Sequence, residues 1–378
     1  MKYKLNDLTK CITKGTTPTT IGFKYTENGV NFIKSECLVN KPNLDLSSLF
    51  FINESCNEKM KRSKLEENDI LISIAGAYLG KTGIVSKDIL PANTNQAVGI
   101  IRCNDDINYK YIYYWLSCDK TNQIINSYNS QSAQPNINLT QLGLLEIDLP
   151  NIETQQHIVD TIGSVDDLIE KIEEKLNKIK EYGGLIFNKI IDCDLIDLLK
   201  IAKFEKGKEI GSANYLDKQK TNSVPYIRVG NLLNGEYDSY VINSDCPQCD
   251  YEDILIAFDG APGRNIIGLK GCYSSGVQKV VCDKENKGYI YFYINSELCQ
   301  NTIKVHSQGT TILHASKSIK ELKIPIISSD NKNLLNSLFN EMVSLIKQKS
   351  KLKHIKSQLL QKYFGWSEVF FIYNKVWS

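Results

Sequence analysis

The feature that most constrains the fold is an internal repeat that runs through almost all of this 378-residue chain. The segment DILISIAGAYLGKTGIV, which starts at Asp69, is matched by DILIAFDGAPGRNIIGL, which starts at Asp253. Earlier in each half, NFIKSECL from Asn31 is matched by PYIRVGNL from Pro225. The matched segments keep the same order in both halves, so the sequence predicts two copies of one domain.

Further matched segments extend the repeat in both directions. They comprise the two starts at Leu5 and Leu195, the polar stretches with a following strand from Asn93 and Ser274, the aromatic stretches from Tyr111 and Tyr289, the second polar stretches from Ser130 and Ser307, and the strands that end at Pro150 and Pro325. Because the distance between matched positions changes only through small loop differences, we interpret the chain as a domain duplication.

Each copy alternates short β-branched runs with turns rich in Gly and Asn, a pattern typical of strands. The runs DILIS and DILIA end at Gly76 and Gly260, where a tight turn can use positive φ. The aromatic stretch Tyr111–Leu116 is compatible with a strand or a helix. We favour a helix, because Asn108 can cap it and polar residues continue through Asn122. Each copy is therefore predicted to be a mixed α/β domain.

A long amphipathic helix is predicted after each copy, because apolar residues there recur in alternating steps of four and three, as in a coiled coil. A helix of ~37 residues is about 55 Å long. Neither stripe can be buried alone, so we expect the two helices to pack together, antiparallel if the copies share one fold. Lys349 and Lys356 interrupt the second stripe. The predicted helix-pairing residues are Ile158, Ile162, Val165, Ile169, Ile172, Leu176, Ile179, Leu335, Leu338, Met342, Leu345, Leu352 and Leu359.

The predicted fold class is α/β (α+β), with two similar mixed domains joined by two long antiparallel coiled-coil helices in a pseudo-twofold arrangement. The expected boundaries are residues 1–153 for the first domain, 154–192 for the central helix, 193–330 for the second domain, 331–364 for the C-terminal helix and 365–378 for a tail.

Composition and charge narrow the class of protein. With 42% hydrophobic and 23% charged residues, the chain has the composition of a folded globular protein. No apolar run reaches the roughly 18–20 residues of a membrane span, and no hydrophobic stretch follows the first residues, so a cytoplasmic location is expected. The net charge is only +2, and residues 331–378 hold eight basic and two acidic residues. Contact with DNA would therefore come from local patches or be shared with a partner.

Eleven cysteines, an odd number, favour reduced thiols over a disulfide framework. Cys246 and Cys249 have the spacing of zinc ligands, but zinc requires two further ligands and no second CxxC or HxxxH follows. Isolated Cys272 and Cys282 are the remaining candidates for recruitment. We favour free thiols and expect no metal.

No catalytic motif stands out in the sequence. Phosphate-binding loops of the GxxxxGK[ST] or GxGxxG type, the GxSxG nucleophile elbow and the zinc motif HExxH are all missing. None of the four histidines has a spacing to carboxylates that suggests acid–base work. The sequence therefore predicts a binding protein with no catalytic residues.

The duplicated order of domain and helix, the DILIS and DILIA strands with their glycine turns and the segment LPNIETQQHIV resemble the specificity subunit of type I restriction–modification systems, HsdS. The resemblance covers the chain from Leu5 to about Phe364. Gln155 or Gln156 occupies the glutamine position at the entry to the family's conserved helix. The second copy departs from this pattern, because IPIISSDNKNLL contains only Asn331 there.

The resemblance implies that each domain is a target recognition domain for one half of a bipartite site in double-stranded DNA. It further implies that the helices space the domains and bind two methyltransferase subunits, which carry S-adenosylmethionine and methylate adenine. Restriction subunits would carry ATP and Mg and cut the DNA. By this resemblance the chain binds no cofactor and catalyses nothing. Successive major grooves on one face of DNA recur every ~34 Å, a spacing that a helical rod of this size can bridge.

Candidate base-reading residues lie in the loops that differ between the copies, because amides can pair with adenine and arginine with guanine. Of the four arginines, Arg228 and Arg264 are favoured over Arg62 and Arg102. The alternative for each Asn or Gln is that it caps a turn. The first copy contributes Lys14, Thr16, Thr17, Lys34, Tyr78, Lys81, Asn93, Asn95, Gln96, Gln131 and Gln134. The second copy contributes Lys206, Lys208, Arg228, Asn231, Arg264, Ser275, Gln278, Gln308, Thr310 and His314.

Two alternatives to DNA recognition are a scaffold protein and an enzyme that acts on DNA. A coiled-coil scaffold with two protein-binding domains would use the same helices but have no affinity for DNA, and the loops rich in Ser, Asn, Gln and Thr argue against it. A nuclease or methyltransferase would need an acidic cluster or an NPPY-type adenine pocket, and the sequence shows neither.

Overall fold

The repeat corresponds to two units with the same order of strands. The computed structural model describes residues 1–128, 135–189, 194–242, 246–307 and 315–365. One unit is Met1–Leu168 together with the chain from Lys353 onward, and the other is Ile169–Leu352. Each unit therefore contains one copy of the repeat and a part of each long helix.

The first copy is built from short strands and helices. Its strands are β1 (Lys2–Lys4), β2 (Thr9–Lys14), β3 (Val30–Ile33), β4 (Phe50–Ile52), β5 (Ile70–Ser73), β6 (Thr82–Ile84), β7 (Ala92–Thr94), β8 (Val98–Cys103) and β9 (Glu146–Asp148). Its helices are α1 (Glu54–Lys59), α2 (Tyr109–Ser117), α3 (Asp119–Ser127) and α4 (Leu139–Gly143), and the long helix α5 (Ile152–Asn188) follows.

The second copy repeats this series. Its strands are β10 (Leu195–Asp197), β11 (Ala202–Lys206), β12 (Ser223–Ile227), β13 (Tyr240–Ile242), β14 (Gln248–Cys249), β15 (Ile254–Ala257), β16 (Asn265–Ile266), β17 (Gly271–Tyr273), β18 (Val277–Cys282) and β19 (Lys323–Pro325). Its helices are α6 (Asn231–Asn234), α7 (Lys287–Ile294) and α8 (Glu297–Val305), and the long helix α9 (Ser329–Phe364) follows.

The sheets of the two copies have corresponding topology. The order β2-β8-β5-β6 in the first copy corresponds to β11-β18-β15-β16 in the second, and both sheets are antiparallel. The order β4-β3-β7 corresponds to β13-β12-β17, in which the second pair is parallel in each case. A small antiparallel pair, β1 with β9 or β10 with β19, brings the start and end of each copy together. The predicted duplication of a mixed α/β domain is confirmed.

The aromatic stretches form helices in both copies, as predicted. The Asn108 side chain accepts a hydrogen bond from the N–H of Lys110 and caps α2, and α3 continues through the polar residues that follow. In the second copy the aromatic residues form α7. Both helices are almost completely buried, and each contributes to the main apolar core of its unit.

At the start of the second copy, the residue equivalent to Leu5 lies three residues later than the sequence alignment predicts. The alignment matches Leu5 with Leu195, but the strand pairing makes Leu198 the equivalent of Leu5. The N–H of Leu5 donates to the Leu145 carbonyl at 3.0 Å, and the N–H of Leu198 donates to the Leu322 carbonyl at 2.9 Å. Leu5 and Leu198 are completely buried, whereas Leu195 is 48% exposed. The run LIDLLK offers several leucines, and only strand pairing selects the one that enters the core.

The long helices begin slightly before the predicted boundaries. Helix α5 has 37 residues and follows Pro150, and the side chain of Asn151 accepts the N–H of Thr154 at 2.9 Å at its start. Its predicted end at 192 lies outside the described residues, because residues 190–193 are not described. Helix α9 has 36 residues, and the predicted tail beyond residue 365 also lies outside the described residues.

Within the second unit the two long helices run antiparallel. Lys175 pairs with Glu341 at 2.6 Å, and two residues earlier on α5 Glu173 pairs with Lys349 at 2.9 Å, farther along α9. In the first unit the beginning of α5 shares an apolar core with the end of α9. The predicted pair of long antiparallel helices is therefore confirmed.

The predicted stripe lies mainly in the interior. Phe187 and Phe339 are also buried, although they were not included in the predicted set. The buried members of the predicted set are Ile158, Ile162, Val165, Ile169, Leu176, Ile179, Leu335, Met342 and Leu345. The half-buried members are Ile172, Leu338, Leu352 and Leu359.

The same type of contact anchors the aromatic helix to the long helix in both units. In the first, Asn108 donates its N–H to the side-chain oxygen of Gln155 at 3.1 Å. In the second, Gly288 donates its N–H to the side-chain oxygen of Asn336 at 2.7 Å. In each unit a side-chain amide of the long helix thus accepts a backbone N–H at the start of the aromatic helix, although the two contacts are made at different positions of the repeat.

Candidate nucleic-acid interface

In the first unit the loops that hold the candidate residues meet at one end of the sheets. The ends of β2 and β5 both lie opposite the start of β8, with Lys14 facing Gly99 and Ser73 facing Val98. Strand β3 and its parallel neighbour β7 end on the same side. We call this end the first loop edge and define it as residues 14–17, 34–36, 75–81 and 94–97.

The second unit has a corresponding end. Lys206 at the end of β11 faces Gln278, and Ala257 at the end of β15 faces Val277, both at the start of β18. Strands β12 and β17 also end together there. We call this end the second loop edge and define it as residues 206–208, 228–231, 258–264 and 274–278.

A glycine turn brings one cation to the equivalent position of each edge. The carbonyl of Lys81 accepts the N–H of the last residue of β5 at 2.8 Å, and the carbonyl of Arg264 accepts that of the last residue of β15 at 2.8 Å. The preceding residues, Gly80 and Gly263, have φ angles of 81° and 82°, which favour glycine. The structure therefore places Lys81 and Arg264 at matching positions.

The candidate residues differ in accessibility. At the first loop edge Lys14, Tyr78 and Gln96 are exposed, and Thr16, Thr17, Lys34, Lys81 and Asn95 are half-buried. At the second, Lys206 and Lys208 are exposed, and Arg228, Arg264 and Ser275 are half-buried. Gln131, Gln134, Gln308, Thr310 and His314 lie outside the described residues.

Asn93 is completely buried beneath the first loop edge. Its side-chain N–H donates to the side chain of Asn57 at 2.9 Å, and its side-chain oxygen accepts the Ser63 hydroxyl at 2.7 Å and the N–H of Thr94 at 2.9 Å. A buried amide whose donors and acceptors are satisfied contributes to the fold. Asn93 therefore supports the edge from inside and is not presented to a ligand.

Asn231 and Gln278 are also buried. The side chain of Asn231 accepts the N–H of Arg228 at 2.7 Å and donates to the carbonyl of Glu236 at 2.8 Å, so it shapes the loop after β12. Gln278 lies within β18. Asn231 therefore caps a turn, which was the alternative to base reading for an Asn or Gln in these loops.

The two favoured arginines lie close together on the second loop edge. Arg264 donates from Nη1 to the carbonyl of Val229 at 3.4 Å, which is the residue after Arg228. Arg102, by contrast, donates to both carboxylate oxygens of Asp69 at 2.8 Å each and to Glu66 at 2.5 Å. Arg102 is therefore part of the fold, while Arg228 and Arg264 belong to the edge.

At each edge one predicted cation lies next to a tyrosine. These two tyrosines were not among the residues predicted from the sequence. The Nζ of Lys34 lies 4.6 Å from the ring centre of Tyr25 and 3.2 Å from that of Phe50. The guanidinium carbon of Arg228 lies 5.4 Å from the ring centre of Tyr215. Both are cation–π distances. The tyrosine precedes its cation by different numbers of residues in the two copies, so no regular spacing in the sequence marks the pair.

The CPQC thiols are interior groups. Cys246 and Cys249 are buried and free, and Cys249 contacts the carbonyl of Gly271 at 3.4 Å. Burial raises the pKa of Cys249 to about 12, which keeps the thiol protonated. No group of three or more His, Cys, Asp or Glu side chains in the described ranges could hold a metal ion. Within those ranges, no helix combines the length and apolar character that a membrane span requires.

The chain therefore has two copies of one α/β unit, each with a polar loop edge built on the same strands. The family follows from comparison with known proteins. A family model described as type I restriction modification DNA specificity domain matches residues 1–181 and 193–356. The chain belongs to this family, which confirms the resemblance seen in the sequence.

Relatives and a solved structure agree with this assignment. The chain is 31% identical over 156 residues to the EcoBI specificity subunit of Escherichia coli, covering 40% of this chain and 31% of that protein. It is 23% identical over 314 residues to the MjaIX specificity subunit of Methanocaldococcus jannaschii, covering 72% of each. The crystal structure of the S subunit from M. genitalium, 16% identical, superposes with a TM-score of 0.52 over 96% of both chains and shows the same fold. The matched stretch thus spans about a third of the E. coli relative.

Proposed function

We propose that this chain is the DNA specificity subunit of a type I restriction–modification complex, and that each unit reads one half of a bipartite site in double-stranded DNA. The observation that carries this proposal is the pair of loop edges, which share their strands but differ in their polar side chains. Lys81 corresponds to Arg264 and Lys34 follows β3 as Arg228 follows β12. Two similar scaffolds with different side chains suit an asymmetric sequence of two half-sites.

The proposed partners are two methyltransferase subunits and the restriction subunits of the complex. The methyltransferase subunits would carry S-adenosylmethionine and methylate adenine, and the restriction subunits would use ATP and Mg. Leu168, Tyr182 and Leu185 on α5 are each about half exposed, at 49%, 52% and 50%. Tyr182 and Leu185 are three residues apart, so they lie on one face of the helix, where a partner subunit could cover them. The chain itself would be non-catalytic, and access to chromosomal DNA makes the cytoplasm its expected location.

The proposed function is tested by mapping methylated adenines in the source genome with and without this gene. We expect one bipartite motif to lose its methylation when the gene is deleted and to regain it on complementation. The purified chain alone should transfer no labelled methyl group to DNA. An unchanged methylation map would refute DNA specificity and favour a scaffold role, while methyl transfer by the homogeneous chain would refute the non-catalytic assignment.

A further inference from the structure

The cation and tyrosine at the two loop edges occupy equivalent positions. Lys34 directly follows β3, and Arg228 directly follows the corresponding strand β12. Tyr25 and Tyr215 each lie one residue before an isolated bridge to the outer neighbouring strand, β4 or β13. The same pairing of a cation with an aromatic ring is therefore built twice on one scaffold, although the intervening loops differ in length.

The surroundings of the cation differ in one important way. In the first unit the ammonium of Lys34 is covered by a second ring, that of Phe50, at 3.2 Å. In the second unit Ser239 lies opposite the same position of the central strand, so that ring is replaced by a small side chain. The carboxylate of Asp238, the residue before Ser239, accepts a hydrogen bond from Nη2 of Arg228 at 2.9 Å. Arg228 is thus held by one ring and one carboxylate.

Arg228 is fixed at its backbone but has free hydrogen-bonding capacity. The side chain of Asn231 accepts its N–H at 2.7 Å and so fixes the start of the loop. The Arg228 side chain as a whole is 42% exposed, although its Nε is buried and has no hydrogen-bond partner among the described residues. A guanidinium has five N–H donors, and the bond to Asp238 uses one of them. The donors of Nη1 and the second donor of Nη2 therefore remain for a ligand, whereas the buried Nε is not accessible to one.

The carboxylate beside Arg228 is ionised at neutral pH. Burial alone would raise the pKa of Asp238, but hydrogen bonds from Asn231, Arg228 and Ser239 together lower it below its ordinary value. The ion pair with Arg228 is largely exposed, and such pairs contribute little to stability. Its more important effect is geometric, because it restrains the plane of the guanidinium.

We propose that Arg228 reads a guanine in the half-site of the second unit, with Tyr215 and Asp238 as its positioning residues. This inference rests on the proposed function. A guanidinium can donate two N–H groups to O6 and N7 of guanine in the major groove. The ring and the carboxylate restrict rotation of Arg228 before DNA binds, which reduces the entropy lost on binding. Lys34, which has no planar fork and is enclosed by two rings, does not provide this bidentate contact.

The test uses the full chain, co-expressed with its methyltransferase subunits, acting on a plasmid library in which the second half-site is randomised. The measurement is the methylated fraction of each sequence. We expect the wild type to require a guanine at one position of the second half-site. Arg228→Lys should lower the preference for that guanine by about 5- to 150-fold and leave the first half-site unchanged. Lys34→Arg, the matched control, should leave the second half-site unchanged.

The positioning residues are tested by two pairs of measurements. Tyr215→Phe should retain the guanine preference, because the ring remains, whereas Tyr215→Leu should lower it about tenfold. Asp238→Asn should also lower the guanine preference, yet raise the affinity of the complex for unrelated DNA a few fold, because a negative charge near the phosphates is removed. A purely structural role of Asp238 would not move these two quantities in opposite directions.

The outcomes separate this inference from the proposed function. If the wild-type complex methylates a bipartite site but Arg228→Lys and Arg228→Gln both keep its second half-site, guanine reading by Arg228 is refuted and the proposed function stands. A second half-site without guanine has the same consequence. If the wild-type complex methylates no bipartite site, the proposed function itself fails.

Discussion

At the scale of single residues, burial separates side chains that hold the loop edges from side chains available to DNA. Asn93 and Asn231 resemble base-reading amides in the sequence, but both are buried and hydrogen-bonded inside their unit. Lys14 and Gln96, in the same set, are exposed. A polar residue predicted to read bases can therefore belong to the support or to the surface, and only its partners decide which.

Replacing Asn93 by alanine should lower the free energy of unfolding and leave the recognised sequence unchanged. The substitution removes the buried hydrogen bonds that Asn93 makes with the side-chain oxygen of Asn57 and the N–H of Thr94, which costs about 1–3 kcal/mol. Thermal unfolding followed by circular dichroism measures the loss. Gln96→Ala, an exposed neighbour, should change the melting temperature very little. An unchanged melting temperature for Asn93→Ala, with an altered first half-site, would show that Asn93 reads DNA.

At the scale of elements, the lysines that interrupt the apolar stripe of α9 form ion pairs with acidic residues of α5. In the first unit Lys356 pairs with Asp166 at 2.6 Å, and Asp166 accepts the Tyr114 hydroxyl at 2.9 Å. The side chains of Lys356 and Asp166 are each only 15% exposed. In the second unit Lys349 pairs with Glu173 at 2.9 Å. Each of the two lysines that break the stripe therefore lies opposite an acid of the other long helix, which favours the observed register.

Replacing Lys356 by methionine should destabilise the protein by on the order of 2 kcal/mol, since the Asp166 side chain would lose its ion-pair partner in a largely buried site. Lys351→Met on the exposed face of the same helix is the control and should cost less than about 0.5 kcal/mol. Urea unfolding measures both values. Equal stabilities for the two variants would mean that the pair with Asp166 contributes nothing to the association of the helices.

At the scale of the whole molecule, the two units have the same strand order and separate cores. Each has its own loop edge, and each edge has different polar side chains on matching strands. Recognition is therefore expected to be modular, with one half-site for each unit.

Exchanging residues 193–330 for the matching domain of a relative should replace one half-site and preserve the other. The reason is that the exchanged segment contains the whole second loop edge and none of the first. Sequencing of methylated adenines in cells that carry the hybrid identifies both half-sites. If both change, or neither does, recognition is not divided between the units in this way.

Much of the architecture is encoded in patterns that need no long-range information. The repeat predicts two equivalent units, the 4–3 spacing predicts two long helices, and Asn108 before an aromatic run predicts a capped helix. These predictions succeeded because helix periodicity, capping and glycine turns are local properties of the chain. Lys81 and Arg264 occupy matching positions because each follows the glycine of an equivalent tight turn.

The tertiary structure alone decided how these local pieces are used. It selected Leu198 over Leu195 through strand pairing, and it buried Asn93 beneath a loop that the sequence presents as polar. It also brought Tyr215 and Asp238 to Arg228 from opposite sides in the sequence. Contacts of this kind depend on which strands become neighbours, and that choice results from the burial of the whole core, which no local pattern contains.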